Sequence, residues 1–239
     1  MTAIWKRELQ AYFLTPVGYV FMGIFLSISG IFFYMYNLVS GSASISNMFG
    51  NLSFLFMLTV PVLTMRLFSE ERRNKTDQLL ITSPASIASI VTGKFMAALT
   101  VLLCTLVVTL FYILVFVVYS KPSAGEIVSS YIGSFLMGAC YVSIGILMST
   151  ITENQVTAAF ATFGINLLLQ LLEAVGPSLS VPFLPFLPTL LSWVSLQQRL
   201  YSFLIGLFSF ANVLYYASFC VLVLFFAMRV IDKRRWSEG

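Results

Sequence analysis

The residues able to do chemistry in this 239-residue chain crowd into one stretch, Arg66 to Lys94, which reads R-L-F-S-E-E-R-R-N-K-T-D-Q-L-L-I-T-S-P-A-S-I-A-S-I-V-T-G-K. Arg66, Glu70, Glu71, Arg72, Arg73, Lys75, Asp77 and Lys94 carry charge there, while Leu9 to Met65 and Phe95 to Ser120 contain no Asp, Glu, Lys or Arg. The chemistry this set offers is ion pairing and docking. Acid-base or metal catalysis at membrane depth needs carboxylates, imidazoles or thiolates inside the apolar runs. The chain has no His, and Glu173 at a span end is the nearest candidate. Nucleotide chemistry is excluded by the same reading: Gly93-Lys94 lacks the preceding glycine and the following hydroxyl of a phosphate-cradling G-x-x-x-x-G-K-[ST] loop.

Within the stretch, Thr76 can cap a short helix whose first turn holds Asp77 and Gln78. Leu79, Leu80 and Ile81 make it apolar, Thr82 follows, and Ser83-Pro84 ends it. An apolar patch held out between charged flanks suits a partner surface better than open water. Ser86 can then restart a helix that runs through Gly93 and Lys94 into the next apolar run.

Stepping along the rest of the chain, composition sets its class. It is 59% hydrophobic and 9% charged, with a mean hydropathy of +0.95, against about a quarter charged in soluble domains. This describes an all-helical integral membrane protein. Six spans are expected at 17–38, 52–68, 95–119, 127–150, 156–172 and 211–230, each able to cross about 30 Å of hydrocarbon. Residues 1–15, with Ile4, Trp5, Leu9, Tyr12 and Phe13 on one face, form an interfacial helix that ends at Pro16. Ser40 to Asn51 reads as an exposed loop, and Pro61 as a kink in the second span. In the fourth span Ser134, Gly138, Gly145 and Ser149 align as a small-residue packing seam. Four prolines, Pro177, Pro182, Pro185 and Pro188, interrupt the apolar stretch before the last span, which is expected to hold short re-entrant or external helices. Cys104, Cys140 and Cys220 fall in apolar runs and read as small buried hydrophobes. The first apolar run is too long for a cleaved signal and is expected to remain a span.

The net charge of +4 reflects topology and not nucleic-acid binding. Placing both termini, the segment Arg66 to Lys94 (the end of the second span and residues 69–94) and the Glu153 turn on one side collects eleven of the thirteen basic residues there and leaves Lys121 and Arg199 opposite. The positive-inside rule makes the crowded side cytoplasmic.

The pattern from Met65 to Phe95 resembles the signature of ABC-2 type transporter permeases: arginine and paired glutamates, then a Thr-x-x-Leu-Leu helix, a Ser-Pro and a Gly-Lys. Length, six spans, the N-terminal interfacial helix and the irregular stretch before the last span are similar to the short, gliding-motility-type permeases. The resemblance implies a single transmembrane domain over residues 1–239 in a bacterial cytoplasmic (inner) membrane. It implies that Asp77, Gln78, Leu79, Leu80, Ile81, Thr82 and Ser83 form a coupling helix that docks on a separate ABC ATPase, which holds the ATP and Mg. This chain itself would carry no cofactor and no metal, and would not be an enzyme. By the same resemblance Arg66, Glu70, Glu71 and Arg72 belong to a polar joint between the second span and the N-terminal helix. The expected partners are the ATPase, a second protomer (the same chain or a related permease) and lipid. An anchoring, mechanotransmitting subunit of an envelope complex that moves no solute fits the same residues. A secondary transporter does not, because the spans lack intramembrane ionisable residues and paired broken helices.

Overall fold

The computed structural model describes residues 2–41, 45–76, 86–119, 123–175 and 195–237. Among these there is no strand. Helix α1, Thr2–Leu14, leads into α2, Pro16–Phe33, whose last turns widen to a π-helix at Tyr34–Val39. Then follow α3 (Ser46–Thr64), α4 (Arg66–Arg73), α5 (Ile87–Tyr119), α6 (Ala124–Ile151), α7 (Gln155–Val175), α8 (Leu196–Leu204) and α9 (Phe210–Ser237). Six of the helical segments are long and apolar enough to span a membrane: α2 with its π turns, α3 with α4, α5, α6, α7 and α9. The protein is a multi-pass, all-helical membrane protein.

The turn from α1 to α2 is built by local chemistry. Thr15 is extended (φ −106°, ψ 157°) and Pro16 occupies the first helical position, where its missing N–H costs nothing. Gly18 lets the two helices meet: a Cβ there would lie 2.6 Å from the Tyr12 carbonyl oxygen. Helix α1 lies against α5, with the Trp5 indole N–H donating to Thr100 Oγ1 (3.1 Å), and the buried Tyr12 hydroxyl donates to the Leu63 carbonyl (2.7 Å).

Helices α3 and α6 form the centre. In the span segments containing them 72% of residues are buried, against 17% to 33% in the other four. They run parallel, because their contacts advance together. Phe49 stacks edge-on to Tyr131 at 4.8 Å. Gly138 faces Phe56, and Gly145 faces Thr64 so closely that a Cβ would sit 2.1 Å from Thr64 Oγ1. Ser149 Oγ accepts from the N–H groups of Phe68 (3.0 Å) and Ser69 (3.2 Å). Ser134 is buried in the same helix. Small residues here let two backbones approach, which supplies the van der Waals contact that drives helix association in lipid.

Three local features differ from the sequence reading. Ser46 to Asn51 is not loop but the first turns of α3. Its polar groups are satisfied within protein: the Ser46 hydroxyl lies 2.7 Å from the Leu204 carbonyl and 2.8 Å from Glu126, and Asn51 donates to the Asn47 carbonyl (2.7 Å). Helix α9 continues past the expected end at 230, to Ser237. Helix α5 begins at Ile87 and runs through Gly93 and Lys94 as the sequence suggested, so Lys94 lies two turns inside it. Cys104 is exposed, whereas Cys140 and Cys220 are buried side by side with their sulfurs 3.6 Å apart. The prolines at 177, 182, 185 and 188 lie outside the described residues. Of that irregular stretch α8 is described, and it covers the end of the bundle opposite α4. Phe203 and Leu200 sit on Gly133, Ser129 donates to the Phe203 carbonyl (2.6 Å), and Arg199 lies 3.8 Å over the Tyr215 ring.

The Gly145 contact gives a direct test. Gly145→Ala should destabilise the protein by about 1–3 kcal/mol through overpacking against Thr64, read as a lower melting temperature in detergent. Gly23→Ala, with nothing within 4 Å of its added Cβ, should leave the melting temperature unchanged.

Candidate functional site at the charged end of the bundle

The ends of α1, α4 and α5 meet where the apolar spans give way to charge. Lys94 is the one residue among Asp, Glu, Lys and Arg in α5, and 1% of its side chain is exposed. An ammonium has three protons and no acceptor, and Lys94 finds an acceptor for each: Glu8 Oε1 at 3.2 Å, Glu71 Oε1 at 3.0 Å and the Leu67 carbonyl at 2.5 Å. It also lies 4.9 Å over the Phe68 ring. Arg7 Nη2 reaches the same two carboxylate oxygens, Glu8 Oε1 at 2.6 Å and Glu71 Oε1 at 2.8 Å. The four charges therefore close a ring of alternating sign, Arg7, Glu8, Lys94 and Glu71, drawn from three separate helices.

Burial pushes the Glu8 carboxyl up, but the Lys94 ammonium and then the Arg7 guanidinium outweigh it and hold the group below its ordinary 4.5. For Arg7, burial acts downward and the bond to Glu8 and the charges of Glu8 and Glu71 more than reverse it, so its pKa is raised. Tyr12, one turn along α1, has its phenol pushed well up by burial and stays a neutral donor.

The other expected joint residues divide between two places. Arg66 pairs with Glu70 one turn on (3.5 Å), donates from Nη1 to Thr15 Oγ1 (2.7 Å) and lies 5.7 Å over the Tyr12 ring, so it ties the head of α4 to the turn between α1 and α2. Glu71 is in the ring, whereas Glu70 is at its edge with 43% of its side chain exposed. Arg72 points away from α1: it donates to Glu153 (2.6 Å) and to the Ile151 carbonyl (3.0 Å) at the end of α6. Arg234 of α9 donates to that same carbonyl at 3.1 Å. Two guanidiniums thus sit at the C-terminus of α6, where the helix dipole favours positive charge. Ser149, at the end of the small-residue seam, is bonded to α4 beside them.

Beyond α4 the chain turns sharply. Lys75 adopts left-handed backbone (φ 55°), and the N–H groups of Lys75 and Thr76 return to the carbonyls of Arg72 (3.0 Å) and Glu71 (2.9 Å). This is the helix-ending turn usually made by glycine. Asp77, Gln78, Leu79, Leu80, Ile81, Thr82 and Ser83 lie outside the described residues. A cavity of about 300 Å³ opens beside the ring, walled by Arg7, Arg66, Glu70, Glu71, Asn74 and Thr76 among others.

Arg7, Glu8 and Lys94 are ring members outside the joint of Arg66, Glu70, Glu71 and Arg72 expected from the sequence. One signal was available: a lysine two turns into an otherwise uncharged helix requires a carboxylate brought from elsewhere in the chain.

Lys94→Met should lower stability by about 3–5 kcal/mol, since it leaves two carboxylates sharing one exposed guanidinium. Thermal unfolding in detergent reads this. For Glu8 the sign follows from its lowered pKa: its contribution is fully present above the unfolded value and is lost as pH falls through the folded one. The difference in melting temperature between the native chain and Glu8→Gln should therefore hold constant from neutral pH downward and shrink only below the ordinary carboxylate range.

The family model described as ABC-2 family transporter protein matches residues 32–204. No curated protein matches the chain. The match takes in α3, α4, α5, α6, α7 and α8, and with them Glu71 and Lys94. By this match over well more than half its length, the chain belongs to the ABC-2 family of transporter proteins, as a membrane component.

Proposed function

We propose that this chain is the permease subunit of an ATP-binding-cassette transporter, driven by a separate ATPase that docks on residues 77–83 and coupled to it through the ring of Arg7, Glu8, Lys94 and Glu71. The observation that carries this reading is the position of the ring. Residues 77–83 are flanked on one side by α4, which bears Glu71, and on the other by α5, which bears Lys94. A force on the intervening segment reaches both helices, and the ring ties them to α1. From α4 it reaches α6 through Ser149 and through Arg72 on Glu153.

ATP and Mg belong to the ATPase in this reading, and the chain alone turns nothing over. A second protomer, the same chain or a related permease, completes the transport path at a two-fold axis. Two faces of the molecule support the orientation. The end holding Arg7, Arg66, Arg72, Lys94 and Arg234 carries most of the basic residues, and Arg199 sits at the other, so the first is cytoplasmic together with both termini. The membrane is the bacterial cytoplasmic one, and the work is export or envelope work.

Replacing Leu80 and Ile81 by Asp should abolish ATPase capture while the six spans still insert. Glu70→Gln with Glu71→Gln should leave capture intact but lower transport or envelope output per ATP at least about fivefold, the low end of a coupling of about 1–3 kcal/mol. Unchanged output and unchanged stimulation of hydrolysis would remove the joint from the mechanism. In a chain whose three cysteines are replaced by alanine, Ser123→Cys should react with an impermeant thiol reagent from outside and Asn74→Cys should not.

A further inference from the structure

The cavity beside the ring is walled by six charged side chains, three positive (Arg7, Arg66, Lys94) and three negative (Glu8, Glu70, Glu71). Their sum is zero, so a ligand bearing net charge would leave one charge uncompensated in a partly buried site. Not all of their bonding capacity is used. Lys94 is saturated by its three acceptors. Arg66 spends Nη1 on Thr15 and Nε on Glu70, and its Nη2 remains outside these bonds. Arg7 bonds only through Nη2 and is 55% exposed, so Nη1 and Nε are also available. On the acidic side Glu70 holds a single long contact at 3.5 Å and is 43% exposed. The wall therefore presents guanidinium donors suited to a phosphate and, next to them, a carboxylate suited to an ammonium.

The cavity sits at the depth where apolar spans begin. Ala11 and Leu67 line it, Leu14 one turn past Ala11 on the same short helix is 86% exposed, and Tyr19, Val20 and Ile24 are exposed on α2, which follows. A headgroup seated in the cavity has an apolar surface beside it for acyl chains. We propose that this cavity binds the headgroup of a phosphoethanolamine lipid, with its phosphate on Arg7 and Arg66 and its ammonium on Glu70. The site rests on the reading of this end as the headgroup level of the membrane, and it makes a lipid part of the joint that holds α1 to α4.

The test uses the full chain purified in detergent without ATPase or nucleotide, so that a failure of coupling leaves it untouched. Lipid retention is measured by native mass spectrometry, with melting temperature alongside, for phosphatidylethanolamine, phosphatidylglycerol, phosphatidylcholine and soluble phosphoethanolamine. Phosphatidylethanolamine should be retained over the other two lipids by about tenfold, the worth of one charge-assisted hydrogen bond. Phosphatidylglycerol lacks the ammonium, and the choline group cannot donate to Glu70. Glu70→Gln should erase the preference, and Arg7→Gln should weaken retention of all three lipids. Equal retention of the three by the native chain, or a preference that survives Glu70→Gln, overturns the proposal. Saturation by soluble phosphoethanolamine at the same concentration overturns the lipid as its source. The comparison among lipids on the native chain decides the matter even if Arg7→Gln fails to fold.

Discussion

A buried ammonium is the constraint on which the charged end depends. Lys94 is almost wholly removed from water inside an uncharged helix, and such a charge persists only where each of its protons has a partner. Two of those partners are carboxylates from helices that are remote in sequence, and the third is the carbonyl of Leu67. The requirement fixes three things together: α1 must lie across the bundle, α4 must continue α3 past its break at Met65, and α5 must start well before the apolar run. Arg7 then balances the second negative charge. Without the ring, α1 would be held by its apolar face, the Tyr12 and Trp5 bonds and Arg66 over the Tyr12 ring.

Around that end the packing is unequal. Helices α3 and α6 are enclosed by protein and run parallel, whereas α2, α5, α7 and α9 leave most of their surface outward. A parallel pair at the centre means that both inner helices deliver their C-terminal ends to the same side, the side of the ring. The end of α6 is met there by Arg72 and Arg234, and the continuation of α3 by Lys94. Displacement at this end therefore acts on both inner helices, and through the close contact of Gly145 with Thr64 it is passed between them with little room for slack.

Much of this was legible in the sequence because lipid leaves few options. Apolar runs with charged ends give six helical spans, and the face carrying Ile4, Trp5, Leu9, Tyr12 and Phe13 marks residues 1–15 as an interfacial helix; that this face packs on the bundle is seen only in the fold. Gly138 and Gly145 stood out by spacing alone. What was not legible depends on pairings distant in the chain. Ser46 to Asn51 looks like loop because a polar run usually finds its acceptors in water; here Ser46 finds one in Leu204, 158 residues away. Likewise Glu70 and Glu71 are neighbours in sequence, but a helix points them in different directions, so that one enters the ring and the other faces the cavity. The resemblance groups Arg72 with them, and in the fold it reaches the end of α6.

The carbonyl of Ile151 accepts from two arginines on different helices, one before the segment at 77–83 and one near the end of the chain. In genetic terms this is redundancy. The shared acceptor is main chain, so no substitution at position 151 removes it, and loss of either arginine leaves the other in place. Variants at Arg72, which also lose the pair with Glu153, should show by themselves, but the combined loss of Arg72 and Arg234 should exceed the sum of the single ones, a form of epistasis that a scan of single substitutions would pass over.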